Sequence, residues 1–118
     1  MDMRLAPWMA KYEQAWESND PDDIGDLFAE DAQYYTEPFA APWEGRETIL
    51  REWLENRDEP GDAKFSWQHI ATNDDLSVIE ARTHYTSPPR TFSNLWLIEF
   101  DARGQCRKFT EWWMEHPA

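Results

Sequence analysis

At 118 residues the chain is long enough to bury one hydrophobic core, and it is read as a single domain spanning 1–118. Its 41% hydrophobic and 15% aromatic content makes it globular, and a formal net charge of -13 excludes nucleic acid as a partner, because that binding needs a basic patch. The acidity also disfavours anionic membrane surfaces, no apolar run approaches the length of a membrane span, and Met1-Asp2-Met3-Arg4 lacks the basic and apolar regions of a signal peptide, so a cytoplasmic location is expected.

In chain order, Trp8, Tyr12, Ala15 and Trp16 recur at helical spacing and predict a first helix from about Leu5 to Ser18. Asp20-Pro21-Asp22-Asp23 starts a second, with Asp20 as N-cap, Pro21 in the first turn, and Ile24, Leu27 and Phe28 as its apolar stripe. Ala32 to Thr36 reads as a short strand. A loop punctuated by Pro38 and Pro42 carries Trp43, and Gly45 precedes a third helix from about Arg46 to Asn56, burying Ile49, Leu50, Trp53 and Leu54. Glu59-Pro60-Gly61-Asp62 is a turn. Four antiparallel strands follow, roughly Lys64–Thr72, Ser77–Ser87, Thr91–Phe100 and Gln105–Glu115. Along the second of them Ile79, Ala81, Thr83 and Tyr85 face one way, and Glu80, Arg82 and His84 the other. Three N-terminal helices packed on a curved antiparallel sheet make an α+β cone, whose open end is a natural ligand cavity.

The chain ends on Phe109-Thr110-Glu111-Trp112-Trp113, a carboxylate among large aromatics. Alternation puts Phe109, Glu111 and Trp113 on one face and Thr110, Trp112 and Met114 on the other. A carboxylate against apolar surface must be paired, hydrogen-bonded or protonated, which marks either a site or a structural ion pair. Eight tryptophans in so short a chain fill a core, wall a pocket, or both.

Several segments resemble the nuclear transport factor 2-like superfamily, in particular its small SnoaL-like branch. They are Tyr12-Glu13-Gln14-Ala15-Trp16 running into Asn19-Asp20-Pro21, Leu27-Phe28-Ala29-Glu30-Asp31-Ala32 leading into a strand, Trp43-Glu44-Gly45-Arg46-Glu47 opening a helix, and the ending Arg107 to Trp113. The resemblance spans nearly the whole chain and implies the cone-shaped fold. It says little of function, since the fold hosts isomerases, cyclases, dehydratases, epoxide hydrolases and non-enzymes. The ketosteroid isomerase branch uses a first-helix tyrosine in its oxyanion hole, an aspartate followed by proline as base, and a protonated aspartate on a later strand. Tyr12 matches the first position, and Glu37 before Pro38 matches the second. Trp96 stands at the third, with Asn94 on its face; an indole N–H is no replacement for a carboxylic acid, and this departure counts against steroid isomerisation itself.

Carried onto the residues, the resemblance implies a pocket with Glu37 as base, Glu111 as a second acid/base or orienting group, and Tyr12 as donor to a developing oxyanion. Trp16, Tyr35, Phe39 and Trp43 close it from the helical side, and Asn94, Trp96, Phe109 and Trp113 line it from the sheet. The expected ligand is a small apolar carbonyl compound undergoing isomerase, cyclase or dehydratase chemistry. The alternative is a non-catalytic ligand-binding or dimerisation module of the same fold. Each residue has a plainer role too: Glu37 as acceptor in the turn before Pro38, Glu111 as partner of Arg46, Arg51 or Arg82, and Tyr12 as a core residue. No cofactor is called for, and no His/Asp/Glu cluster sits on one face to hold a metal. The lone Cys106 permits no intrachain disulfide and alternates away from the cavity. Trp112 and Met114 on the outer sheet face, together with family habit, imply a homodimer through that side.

Overall fold

The computed structural model describes residues 3–57 and 61–117. Helix α1 (Leu5–Ser18) ends where Asn19 adopts a left-handed conformation (φ 51°) and its N–H donates to the Ala15 carbonyl at 2.8 Å. Asp20 caps α2 (Pro21–Gly25), its carboxylate accepting from the Asp22 N–H at 2.8 Å. This helix is a single turn, shorter than its apolar stripe implies. Leu27 and Phe28 are not helical: the Leu27 carbonyl accepts from the Trp8 indole (2.9 Å) and the Cys106 N–H (2.8 Å), and Phe28 opens strand β1 (Phe28–Tyr35). Tertiary hydrogen bonds thus take the place of the next helical turn.

Trp43 and Glu44 form a two-residue strand, β2, paired antiparallel to β1, where the sequence predicted loop. Gly45, at φ 86°, then admits α3 (Arg46–Glu55), which buries Ile49 and Trp53. Of the predicted turn after it, Glu59 and Pro60 lie outside the described residues; Gly61 has φ 88°. The meander follows as β3 (Ala63–Asn73), β4 (Leu76–Thr86), β5 (Pro89–Phe100) and β6 (Cys106–Glu115), each within two residues of its predicted bounds.

The six strands form one curved, unclosed sheet in the order β2-β1-β6-β5-β4-β3. Every pairing is antiparallel except β1 with β6, which is parallel. Strand β4 alternates as predicted, with Ile79, Ala81 and Thr83 buried and Glu80, Arg82 and His84 exposed. The core lies between the inner sheet face and the helices. There the Trp8 ring meets Phe28 and Phe100 edge-on at 6.2 and 6.0 Å. Phe28, Phe100 and Phe109 are fully buried, each contributing roughly 1.5–3 kcal/mol by leaving water. Among the described residues no helix is long and apolar enough to cross a membrane.

Candidate functional site

Between α1, α3 and the inner sheet face lies an open pocket of about 400 Å³. That is within the range of small-molecule sites. Most of its wall is aromatic. From α1 come Tyr12 and Trp16, and from α3 comes Trp53, whose indole N–H donates to the Asn19 side chain at 3.1 Å. Tyr12 lies edge-on to Trp96 (4.8 Å between ring centres) and to Trp53 (5.3 Å). Tyr34, from β1, is stacked between Trp43 (4.8 Å) and Phe109 (4.5 Å), which fixes its ring.

The floor is polar and is built by register. Trp96 on β5 stands opposite Glu111 on β6, and Asn94 opposite Trp113. The Thr83 hydroxyl donates to Asn94 Oδ1 at 3.0 Å, which leaves the Asn94 amide N–H aimed at Glu111 Oε2, 2.7 Å away. The Trp96 indole N–H donates to the same oxygen at 3.1 Å. Both donors are neutral. Burial pushes the Glu111 carboxyl above its ordinary range, and the Trp96 and Asn94 N–H groups only partly oppose that. Tyr34 is held well above the usual phenol range, chiefly by burial and then by the nearby Tyr12 and Glu111, so it remains a proton donor at physiological pH. The arrangement therefore combines a carboxyl of raised proton affinity with phenols and apolar walls.

The SnoaL-like domain profile matches residues 9–113. The chain belongs to the SnoaL-like family. No curated protein matches it. Solved structures share the fold of this SnoaL-like domain. A ketosteroid isomerase-like protein from Kribbella flavida superposes with a TM-score of 0.74 at 18% identity, over 98% of this chain and 81% of its own. An NTF-2 like protein from Burkholderia xenovorans gives 0.73 at 19%, over 98% and 88%. A cystatin-like-fold protein from Methylobium petroleophilum gives 0.73 at 15%, over 98% and 78%. At such identities the likeness is one of fold alone.

The SnoaL-like pocket brings together Tyr12, Trp16, Trp43, Asn94, Trp96, Glu111 and Trp113. Phe109 is fully buried behind the wall rather than on it, packed on Tyr34 and Trp96. Tyr35, Glu37 and Phe39 lie outside the pocket, in contrast to the sequence expectation. On β1 Phe28, Ala29, Ala32 and Tyr34 are buried, and past the irregularity after Phe28 it is Tyr34 and then Thr36 that carry the inward phase. Tyr35 turns to the other side, under Lys108 at 5.5 Å; the Glu37 carbonyl accepts from the Ala40 N–H at 3.2 Å; and Phe39 is 85% exposed. Sequence reasoning also left out other lining residues, Trp53, Thr83, Arg57 and Arg90 among them; of those it missed, alternation counted from Ala32 signals Tyr34 and Thr36.

Among the described residues no arginine takes up Glu111. Arg46 instead donates to the Phe28 carbonyl (2.8 Å) and the Gln105 side chain (3.5 Å), and Arg82 stands on the outer face. Burial holds the Cys106 thiol far up, which removes it as a nucleophile. Among the described residues no group of three His, Cys, Asp or Glu side chains is placed to hold a metal ion.

Proposed function

We propose that this SnoaL-like domain binds a small, mostly apolar carbonyl compound and moves a proton on it without a cofactor. The observation that carries the reading is Glu111, a carboxyl of raised proton affinity that enters an aromatic pocket with only neutral donors on it. Ionised Glu111 takes a proton from carbon next to the carbonyl. The C–H electron pair forms the enolate C=C bond as the carbonyl π pair moves onto oxygen, where Tyr12 donates a hydrogen bond to the developing oxyanion. Glu111 then delivers a proton to a conjugated carbon, which isomerises the compound, or first trades its proton with solvent and reprotonates the same carbon, which exchanges it. The Trp96 indole N–H is spent on Glu111, so it does not serve as the second oxyanion donor; Tyr34 is the phenol available for that role.

A second reading, a non-catalytic binding module, draws on one observation: only one of the two expected carboxylates lines the pocket. Both readings include a homodimer through the outer sheet face, where Trp112 and Met114 are exposed beside a groove of about 630 Å³, and a cytoplasmic location. Solvent-deuterium exchange into a panel of aryl and cyclic ketones, followed by NMR, tests the enzyme reading. Exchange that depends on Glu111 supports it. Exchange equal in wild type and Glu111→Gln leaves the binding module.

A further inference from the structure

We propose that the pocket selects a carbonyl compound that also bears a carboxylate, bound with its anionic end between Arg57 and Arg90 and its carbonyl inward at Glu111. This rests on reading the pocket as a small-molecule site.

Exposure sorts the lining residues by depth. Tyr34, Thr83, Asn94 and Trp96 are buried and form the floor; Asn56, Arg57, Arg90 and Trp113 are exposed and form the mouth. The chain carries 24 acidic residues against 11 lysines and arginines, so acids would dominate a rim assembled at random. Among the described lining residues the opposite holds: the two charged groups at the mouth are both arginines, and the one acid is the half-buried Glu111, hydrogen-bonded to the floor residues Asn94 and Trp96.

Both guanidinium groups are placed by the fold. Arg90 spans Glu115 through Nε (2.9 Å) and Nη2 (2.8 Å) and rests over the Phe92 ring at 4.9 Å. Arg57 Nη1 donates to the Leu54 carbonyl at 3.2 Å. Planar guanidinium donors suit a carboxylate, and a held guanidinium loses little freedom on binding one. Glu115 already offsets the charge of Arg90, so Arg57 supplies the positive charge that a second carboxylate needs. The floor enforces the same orientation. A ligand carboxylate at depth would face Glu111 with no cation beside it, at a cost in desolvation and like-charge repulsion. A neutral carbonyl there meets phenol donors instead.

Calorimetric titration of the full chain at neutral pH tests this, using benzoylpropanoate and benzoylbutanoate beside their methyl esters. The expected result is that each acid binds about tenfold tighter than its ester at low salt. The gap should narrow as salt rises and close in the Arg57→Gln/Arg90→Gln double variant. Both substitutions are at exposed side chains, so the variant folds, and unchanged circular dichroism checks that. Lys108→Gln, at a cation outside the pocket, should keep the gap. Acid and ester binding equally to the wild type overturns the carboxylate preference while the pocket stands as a small-molecule site. A gap that survives in the double variant overturns the arginine assignment. No binding of either compound overturns the proposal together with the pocket reading beneath it.

Discussion

Strand β6 carries two glutamates of the same parity with opposite fates. Glu111 lies inside the pocket with two neutral N–H donors on one oxygen, and burial raises its proton affinity. Glu115, four residues on, lies outside, bridged by both arms of Arg90, and that bond holds its carboxyl below the ordinary range. The same residue type in one strand has its proton affinity raised or lowered according to whether burial outweighs neutral donors or an exposed arginine binds it. The proton affinity of each glutamate is thus set by its position along the strand.

The sharpest way to break the comparison is to neutralise each glutamate. Glu111→Gln should lower ketone deuterium exchange by about 100-fold or more, the span of a lost acid/base group. Glu115→Gln should leave it within about twofold. Equal losses would mean that depth does not separate the two. The outer side of the same strand offers the next largest effect. Trp112→Glu places a charge in the exposed apolar patch and should halve the mass seen by light scattering; a dimer mass that does not change removes this face as the interface. Trp96→Phe takes one N–H from Glu111 and should cost about 1–2 kcal/mol in denaturant unfolding, a typical loss for such a hydrogen bond. It should also move the Glu111 carboxyl further up in a carbon-detected NMR titration.

The smallest effects are in pH-dependent stability, and their signs differ. The folded-state affinity of Glu111 for a proton is raised, so its favourable contribution is present below the unfolded carboxylate value and is lost as pH rises through the folded one. Glu111→Gln should therefore melt a few degrees above wild type at neutral pH, and the advantage should vanish in acid. For Glu115 the shift is downward, so its contribution is present above the unfolded value and is lost as pH falls through the folded one. Being exposed, the pair should move the melting temperature by no more than about 1 °C, and less in salt. Thermal melts across pH decide both signs.

Regions governed by local chemistry were legible in the sequence. The first helix, the Asp20 cap, the four long strands and the inward face of β4 each follow from spacing or turn residues near at hand. The facing of Asn94, Trp96 and Glu111 was also legible, because a hairpin carries parity across its turn. The segment from Leu27 to Thr36 was not. A short run such as Leu27-Phe28-Ala29 fits helix and strand periods equally. The register between β1 and β6 also shifts between Phe28 and Gln33, so parity cannot be carried through. The partner of β1 is β6, more than seventy residues away in sequence and parallel, which no local pattern encodes. That one segment separates Tyr34 and Thr36 in the pocket from Tyr35, Glu37 and Phe39 outside it.

The Trp96–Glu111 hydrogen bond has a spectroscopic consequence. An indole N–H proton bonded to a carboxylate resonates downfield of one bonded to a neutral acid. Trp96 therefore works as a built-in indicator, and its resonance reports the charge state of the pocket without a substrate, a label or a known reaction.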